Sequence, residues 1–134
     1  MNWLPAPEIQ TRISHLISHL NFSYIDPARI YCFKSQGTTS RATARIWSLP
    51  KIWQLALSIP PGYCLEVISE RFNKLSPADQ EKVLIHELMH VPKSFLGGLV
   101  PHRNAKYRTF RHYHDTIESL FNSLAVKSYD NLPR

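Results

Sequence analysis

The stretch Ser76-Pro77-Ala78-Asp79-Gln80-Glu81-Lys82-Val83-Leu84-Ile85-His86-Glu87-Leu88-Met89-His90-Val91-Pro92 decides how this chain is read. Its opening is a helix start. Ser76 can cap, Pro77 suits the first helical position, where its missing N–H costs nothing, and Asp79 favours the positive end of the helix dipole. No breaker follows until Pro92, so the helix should run from Pro77 to near Val91, about four turns. On that helix Val83, His86, Glu87 and His90 share one side. Leu84, Leu88 and Val91 share another, and Ile85 and Met89 widen the apolar surface. A helix apolar over most of its circumference is buried.

Within it, His86-Glu87-Leu88-Met89-His90 is the pattern H-E-x-x-H. Residues i and i+4 lie one turn apart on one face, so the two imidazoles can grip one zinc ion. Glu87, directly after the first histidine, can reach a metal-activated water as general base. The alternative is a pair of core histidines satisfied by hydrogen bonds. Burial favours metal, because buried histidines beside a buried glutamate must be paired or bind a cation.

A second i, i+4 histidine pair serves as an internal control. His15 and His19 fall on a helix read from Pro7 to Leu20, whose apolar stripe is Ile9, Ile13, Leu16, Ile17 and Leu20. Both histidines point away from that stripe and no acid follows His15, so they read as solvent-facing. Spacing alone is therefore not the signal; spacing with Glu87 and burial is.

A hydrolytic zinc site usually takes three protein ligands and leaves one position to water. After Pro92 comes Lys93-Ser94-Phe95-Leu96-Gly97-Gly98-Leu99-Val100-Pro101-His102, in which the two glycines allow a turn that can return His102 to the metal. His102 is the first choice of third ligand, followed by His112, His114 and Glu118. Tyr107, Arg103 and His112 are the local candidates for a donor to the developing oxyanion.

The rest of the chain reads as one α+β unit spanning 1–134. Asp26-Pro27 is a turn signal. Arg29 to Lys34 and Arg41 to Trp47 read as strands, separated by a loop at residues 35–40. Pro50 to Leu57 reads as a short helix with Trp53 packed on Leu57, or as a strand. Pro60-Pro61-Gly62 breaks the chain, and Tyr63 to Ser69 alternates as a third strand. The last helix runs from Phe110 to Val126 with a stripe of Phe110, Tyr113, Ile117, Leu120, Phe121 and Leu124. The expected layout is an N-terminal helix, a small three-stranded or larger mixed sheet, the motif helix and a closing helix.

At 134 residues and 43% hydrophobic content, the chain suits one folded domain with one core. No apolar run is long enough to cross a bilayer, and Met1-Asn2-Trp3-Leu4-Pro5 lacks a basic start and an apolar stretch. The expectation is a cytoplasmic protein without a membrane partner. Cys32 and Cys64 lie in apolar strand-like runs and form no Cys-x-x-Cys pair. Free buried thiols are the default, with a disulfide between neighbouring strands as the alternative. Net charge is +6, and residues 102–112 are basic with interleaved aromatics. That stretch is either a solvated loop or a surface for an acidic partner or a nucleic acid.

The chain resembles a small zincin-like family of metallopeptidases found in phages, archaea and bacteria. The resemblance rests on residues 30–35, 40–47 and 50–57, on Tyr63 to Glu70, on His86 to Pro92, and on Gly97-Gly98-Leu99-Val100-Pro101-His102, covering about residues 28 to 125. It implies a zincin-like fold, zinc as cofactor, peptide-bond hydrolysis of a protein or peptide substrate, and a histidine ligand after the Gly-Gly turn, which is His102 here. In such a fold an edge strand beside the metal commonly holds the substrate backbone. Tyr63 to Glu70 is a candidate for that strand, plain sheet core being its other role. A looser likeness, on size, motif and charge only, is to SprT-like proteases, which act on proteins attached to DNA. Two functions of different class follow: a zinc peptidase with Glu87 beside an open metal position, or a nucleic-acid-binding or DNA-associated module with a structural or degenerate zinc site.

Overall fold

The computed structural model describes residues 1–101 and 113–130. The elements, in chain order, are β1 (Asn2–Pro5), α1 (Pro7–His19), a 3-10 turn (Pro27–Arg29), β2 (Ile30–Gln36), β3 (Ala44–Ser48), α2 (Lys51–Leu57), β4 (Tyr63–Ile68), α3 (Ser69–Phe72), α4 (Pro77–Met89) and α5 (Tyr113–Asp130). The fold is α+β with a four-stranded mixed sheet in the order β1-β2-β4-β3. β2 and β4 run parallel, while β1 on β2 and β3 on β4 are antiparallel. No helix among the described residues is long and apolar enough to cross a membrane.

Alternation along the strands divides the sheet into two unlike faces. Ile30 and Cys32 of β2 and Tyr63, Leu65 and Val67 of β4 point to one side, where they join Ile13, Leu16, Leu84, Ile85 and Leu88 in the core. The other side carries Tyr31, Trp47 and Trp3, each 43–44% exposed, with the Trp3 and Trp47 rings edge-on at 5.9 Å. Helices therefore cover one face only. Arg12 of α1 ties the helical layer together, donating to Gln80 Oε1 at 2.9 Å and to Glu81 Oε2 at 3.0 Å on α4.

Glu66 sits mid-strand in β4 on the side away from the core, yet it is fully buried. Arg45 donates to both its oxygens, at 3.1 and 3.2 Å, Trp47 Nε1 donates at 2.9 Å, and the Ser35 hydroxyl donates as well. Burial alone would raise this carboxyl's pKa, but the donors from Arg45, Ser35 and Trp47 outweigh it and hold it below the usual carboxylate range. The cluster pins β3 to the central strands.

The N-terminal helix, the three strands read from sequence, the motif helix and the closing helix are all present. β1 was not read in advance. It pairs with β2 through Asn2↔Gln36 and Pro5↔Phe33 and makes four strands of three. The segment Lys51–Leu57 is a helix rather than a strand, and Trp53 and Leu57 lie on its outside, 55% and 56% exposed, rather than in the core. Both cysteines are free thiols. Register pairs Cys32 with Leu65 and Cys64 with Tyr31, so the two point to opposite faces and no disulfide joins them. Burial pushes the Cys32 thiol up to about 12.

Glu66→Gln leaves Arg45 half-buried without its counter-charge. It should cost about 3 kcal/mol of folding stability, read as a lowered urea midpoint, whereas an unchanged midpoint would show that the cluster does not hold β3.

Candidate metal centre

The motif helix forms as its sequence dictates. Ser76 Oγ accepts from the Asp79 N–H at 3.2 Å, and Pro77 occupies the first turn. Leu84, Ile85, Leu88 and Met89 are at most 1% exposed. The last turn tightens as Pro92 approaches, with His90 N–H donating to Glu87 O at 3.1 Å and Val91 N–H to Leu88 O at 3.1 Å. His90 is thus the C-terminal cap residue, still in helical conformation, and its ring remains one turn from that of His86.

The two imidazoles turn their Nε2 atoms toward each other, 3.3 Å apart. His90 Nδ1 lies 2.6 Å from the Val100 carbonyl oxygen. A carbonyl only accepts, so Nδ1 carries the proton and the His90 Nε2 lone pair faces His86. A backbone carbonyl that fixes the tautomer and aim of an imidazole is the usual support of a metal-ligating histidine. Val100 is itself held by its N–H donating to His90 O at 2.7 Å. His15 and His19 provide the contrast. Their rings stack at 4.0 Å with a 30° tilt, His19 Nδ1 contacts the His15 carbonyl, and His15 is exposed. Equal spacing on α1 therefore gives a surface pair, while on α4 it gives converging nitrogens at a buried helix end.

Glu87 is 8% exposed, and burial pushes its carboxyl up to about 8. It opens with His86 and His90 onto a cleft of about 690 Å³ between α4, β3 and α5. Five consecutive residues, Ala42 to Ile46, line the opposite wall. Ala44, Arg45 and Ile46 are consecutive residues of β3, and neighbouring side chains of a strand point to opposite faces, so what these three share is the strand's edge; Ala42 and Thr43 lead into it. β3 is the outermost strand on this side of the sheet. The expectation that Tyr63 to Glu70 offers an edge is thereby corrected: β4 is paired on both sides and is sheet core.

Among the described residues no group of three His, Cys, Asp or Glu is placed to hold a metal ion. His102 lies outside the described residues, as do Arg103, Tyr107 and His112. His114 and Glu118, one turn apart on α5, both line the cleft. Glu118 is 55% exposed at its side chain and pairs with Lys82 Nζ at 2.9 Å. Two imidazoles with converging nitrogens beside a buried carboxyl are donors of the kind a divalent metal ion takes.

The family described as "Putative phage metallopeptidase" matches residues 1–125. The chain belongs to this family. By its name the family is one of metal-dependent peptidases acting on protein or peptide substrates, and the match takes in the motif helix, the cleft-lining strand and most of α5. No curated protein and no solved structure matches the chain. His86, Glu87 and His90 are legible as a motif in the sequence; the Val100 carbonyl and the β3 edge are not. A backbone acceptor leaves no mark in residue type, and which strand is outermost depends on pairing rather than on composition.

The raised Glu87 pKa sets a pH dependence for the metal-free protein. Folded Glu87 keeps its proton up to about 8, whereas in the unfolded chain it ionises near ~4.3. Its stabilising effect is therefore full below the unfolded value and is lost as pH rises toward the folded one, by a few kcal/mol, roughly. Chelator-treated protein should lose urea stability between those limits, and Glu87→Gln should flatten the slope. A wild-type slope retained in the variant would assign it to another group.

Proposed function

We propose that this metallopeptidase is a zinc-dependent enzyme of the H-E-x-x-H type with a zincin-like architecture, in which His86, His90 and His102 hold zinc and Glu87 is the general base. The observation that carries the reading is the 3.3 Å approach of the His86 and His90 Nε2 atoms with the His90 ring fixed by Val100. His102 follows Val100 by two residues, and Val100 is hydrogen-bonded to His90, so the chain passes close to the site just before it. That proximity, with the three-ligand habit of hydrolytic zinc, supports His102 over His112, His114 and Glu118. Glu118 is further disfavoured by its ion pair with Lys82.

Zinc, when bound, supplies a Lewis acid that polarises the scissile carbonyl and lowers the pKa of water toward ~7. Glu87 takes the proton from the attacking water at its carboxylate and delivers it to the leaving amine as the C–N bond breaks. In the metal-free protein burial keeps Glu87 protonated up to about 8; the positive charge of a bound cation beside it would favour the carboxylate, the form that takes the proton. The free edge of β3 along the cleft offers backbone N–H and C=O groups to an extended substrate, which would add as one more strand. Ile46, Val83 and Ile117 give the cleft apolar walls. The nucleic-acid or acidic-partner reading rests on the basic stretch at residues 102–112, which lies outside the described residues, and no observation on the described ones favours it.

Elemental mass spectrometry paired with hydrolysis of a quenched-fluorescence peptide library tests the reading. Wild type should carry about one zinc per chain, as a single site of this class does. His86→Ala and His102→Ala should lose most of it. Glu87→Gln should keep its zinc and lose roughly 10²–10⁴ in rate. Hydrolysis at the wild-type rate in zinc-loaded Glu87→Gln would remove Glu87 from the chemistry.

A further inference from the structure

The short helix α2 is built inside out. Its apolar residues Ile52, Trp53, Leu55 and Leu57 are 55–73% exposed, while its one polar side chain beyond Lys51, Gln54, is 4% exposed. Burial of apolar surface does not orient this helix; Gln54 does. Its Nε2 spends both protons inward, donating to Leu49 O at 2.9 Å and to Leu96 O at 2.9 Å. Leu96 opens the turn that leads from the motif helix to Val100.

That turn has no slack. Gly97 has φ +104, and a Cβ added there would run into the Gln54 amide and the Leu49 carbonyl. The residue must be glycine both for its backbone and for its contact. From the central strand, the Tyr63 hydroxyl accepts the Gly97 N–H at 2.9 Å and donates to Gly98 O at 2.8 Å. Two residues later Val100 exchanges hydrogen bonds with His90, at 2.7 Å through its N–H and 2.6 Å through its carbonyl. Three sets of hydrogen bonds, joined by the backbone of residues 96–100, thus lead from α2 through the glycine turn to the His90 ring.

We propose that Gln54 is a positioning residue for the metal centre, fixing the Leu96–Val100 turn so that the Val100 carbonyl holds His90 in the tautomer and orientation that aim its Nε2 at the metal. The proposal deepens the zinc reading and rests on it. Rotating α2 to bury its leucines would withdraw the amide, leave the Leu49 and Leu96 carbonyls without their donor and leave the turn held by Tyr63 and His90 alone. This accounts for a helix that leaves its hydrophobic residues in water. The side-chain amide acts at a distance, through the backbone it holds, and touches neither substrate nor metal.

Gln54→Met keeps the length and removes both donors. Two readouts test it, with Ile13→Val in α1 as a fully buried control remote from the turn. In metal-free protein, the His90 Nδ1–H resonance should be downfield and slow to exchange in the wild type and in Ile13→Val, and should broaden or vanish in Gln54→Met. In zinc competition with a chelator, Gln54→Met should bind about tenfold more weakly, the scale of a lost outer-shell support. Gly97→Ala, which presses on the same amide, should reproduce both effects if Gln54→Met folds poorly. An unchanged His90 resonance in Gln54→Met, or zinc affinity lowered equally by Ile13→Val, would overturn the proposal. Wild type that binds no zinc would overturn the metal reading instead, and the His90 resonance would still decide whether Gln54 positions that ring.

Discussion

A buried imidazole has two nitrogens to place, and His90 places one of them on a backbone carbonyl. That constraint organises the candidate centre. Because the Val100 oxygen can only accept, the His90 proton is confined to Nδ1 and the opposite nitrogen is left as a lone pair. Because His86 lies one turn earlier on the same helix, that lone pair looks at a second imidazole nitrogen 3.3 Å away. Ser76 starts α4 and Pro92 ends it, so His90 falls at the helix end, where the chain can fold back and bring a carbonyl to its ring.

The sheet supplies the other half of the site. A one-sided sheet with its helices on the core face needs only one of its edges near α4, and the order β1-β2-β4-β3 puts β3 there. Glu66 keeps that edge strand in place from beneath, by a carboxylate that accepts from Arg45, Trp47 and Ser35. Arg45 is a residue of two settings, lining the cleft while its charge is neutralised by Glu66. α2, which follows β3 in the chain, keeps its apolar residues outward while the Gln54 amide ties it to Leu49 and Leu96.

Much of this was legible in the residues, for reasons that can be named. The capping serine, the proline stop and the apolar circumference of α4 are local signals, and they yielded the helix to within a residue or two. The histidine pair on α1 differs from that on α4 in its surroundings: His15 is exposed, as expected, while His19 is half-buried against it. Other features were illegible because they are made by contacts far apart in sequence. β1 is a four-residue strand with a tryptophan and a proline whose only reason to be extended is its partner β2. The outward facing of Trp53 and Leu57 is illegible in sequence, because the hydrogen bonds of Gln54 to Leu49 and Leu96 set which way the helix faces. Glu66 looks in sequence like an outward residue of an alternating strand, and only its three donors explain how it is buried.

Anomalous diffraction at the zinc edge, from crystals grown with zinc, is the most direct measurement of the central claim. The account predicts one strong peak at bonding distance from His86 Nε2 and His90 Nε2, with the Val100 carbonyl still on His90 Nδ1 and the third protein donor identified in the same map. A peak located elsewhere, or a His86–His90 pair that stays directly hydrogen-bonded in the presence of zinc, would contradict it.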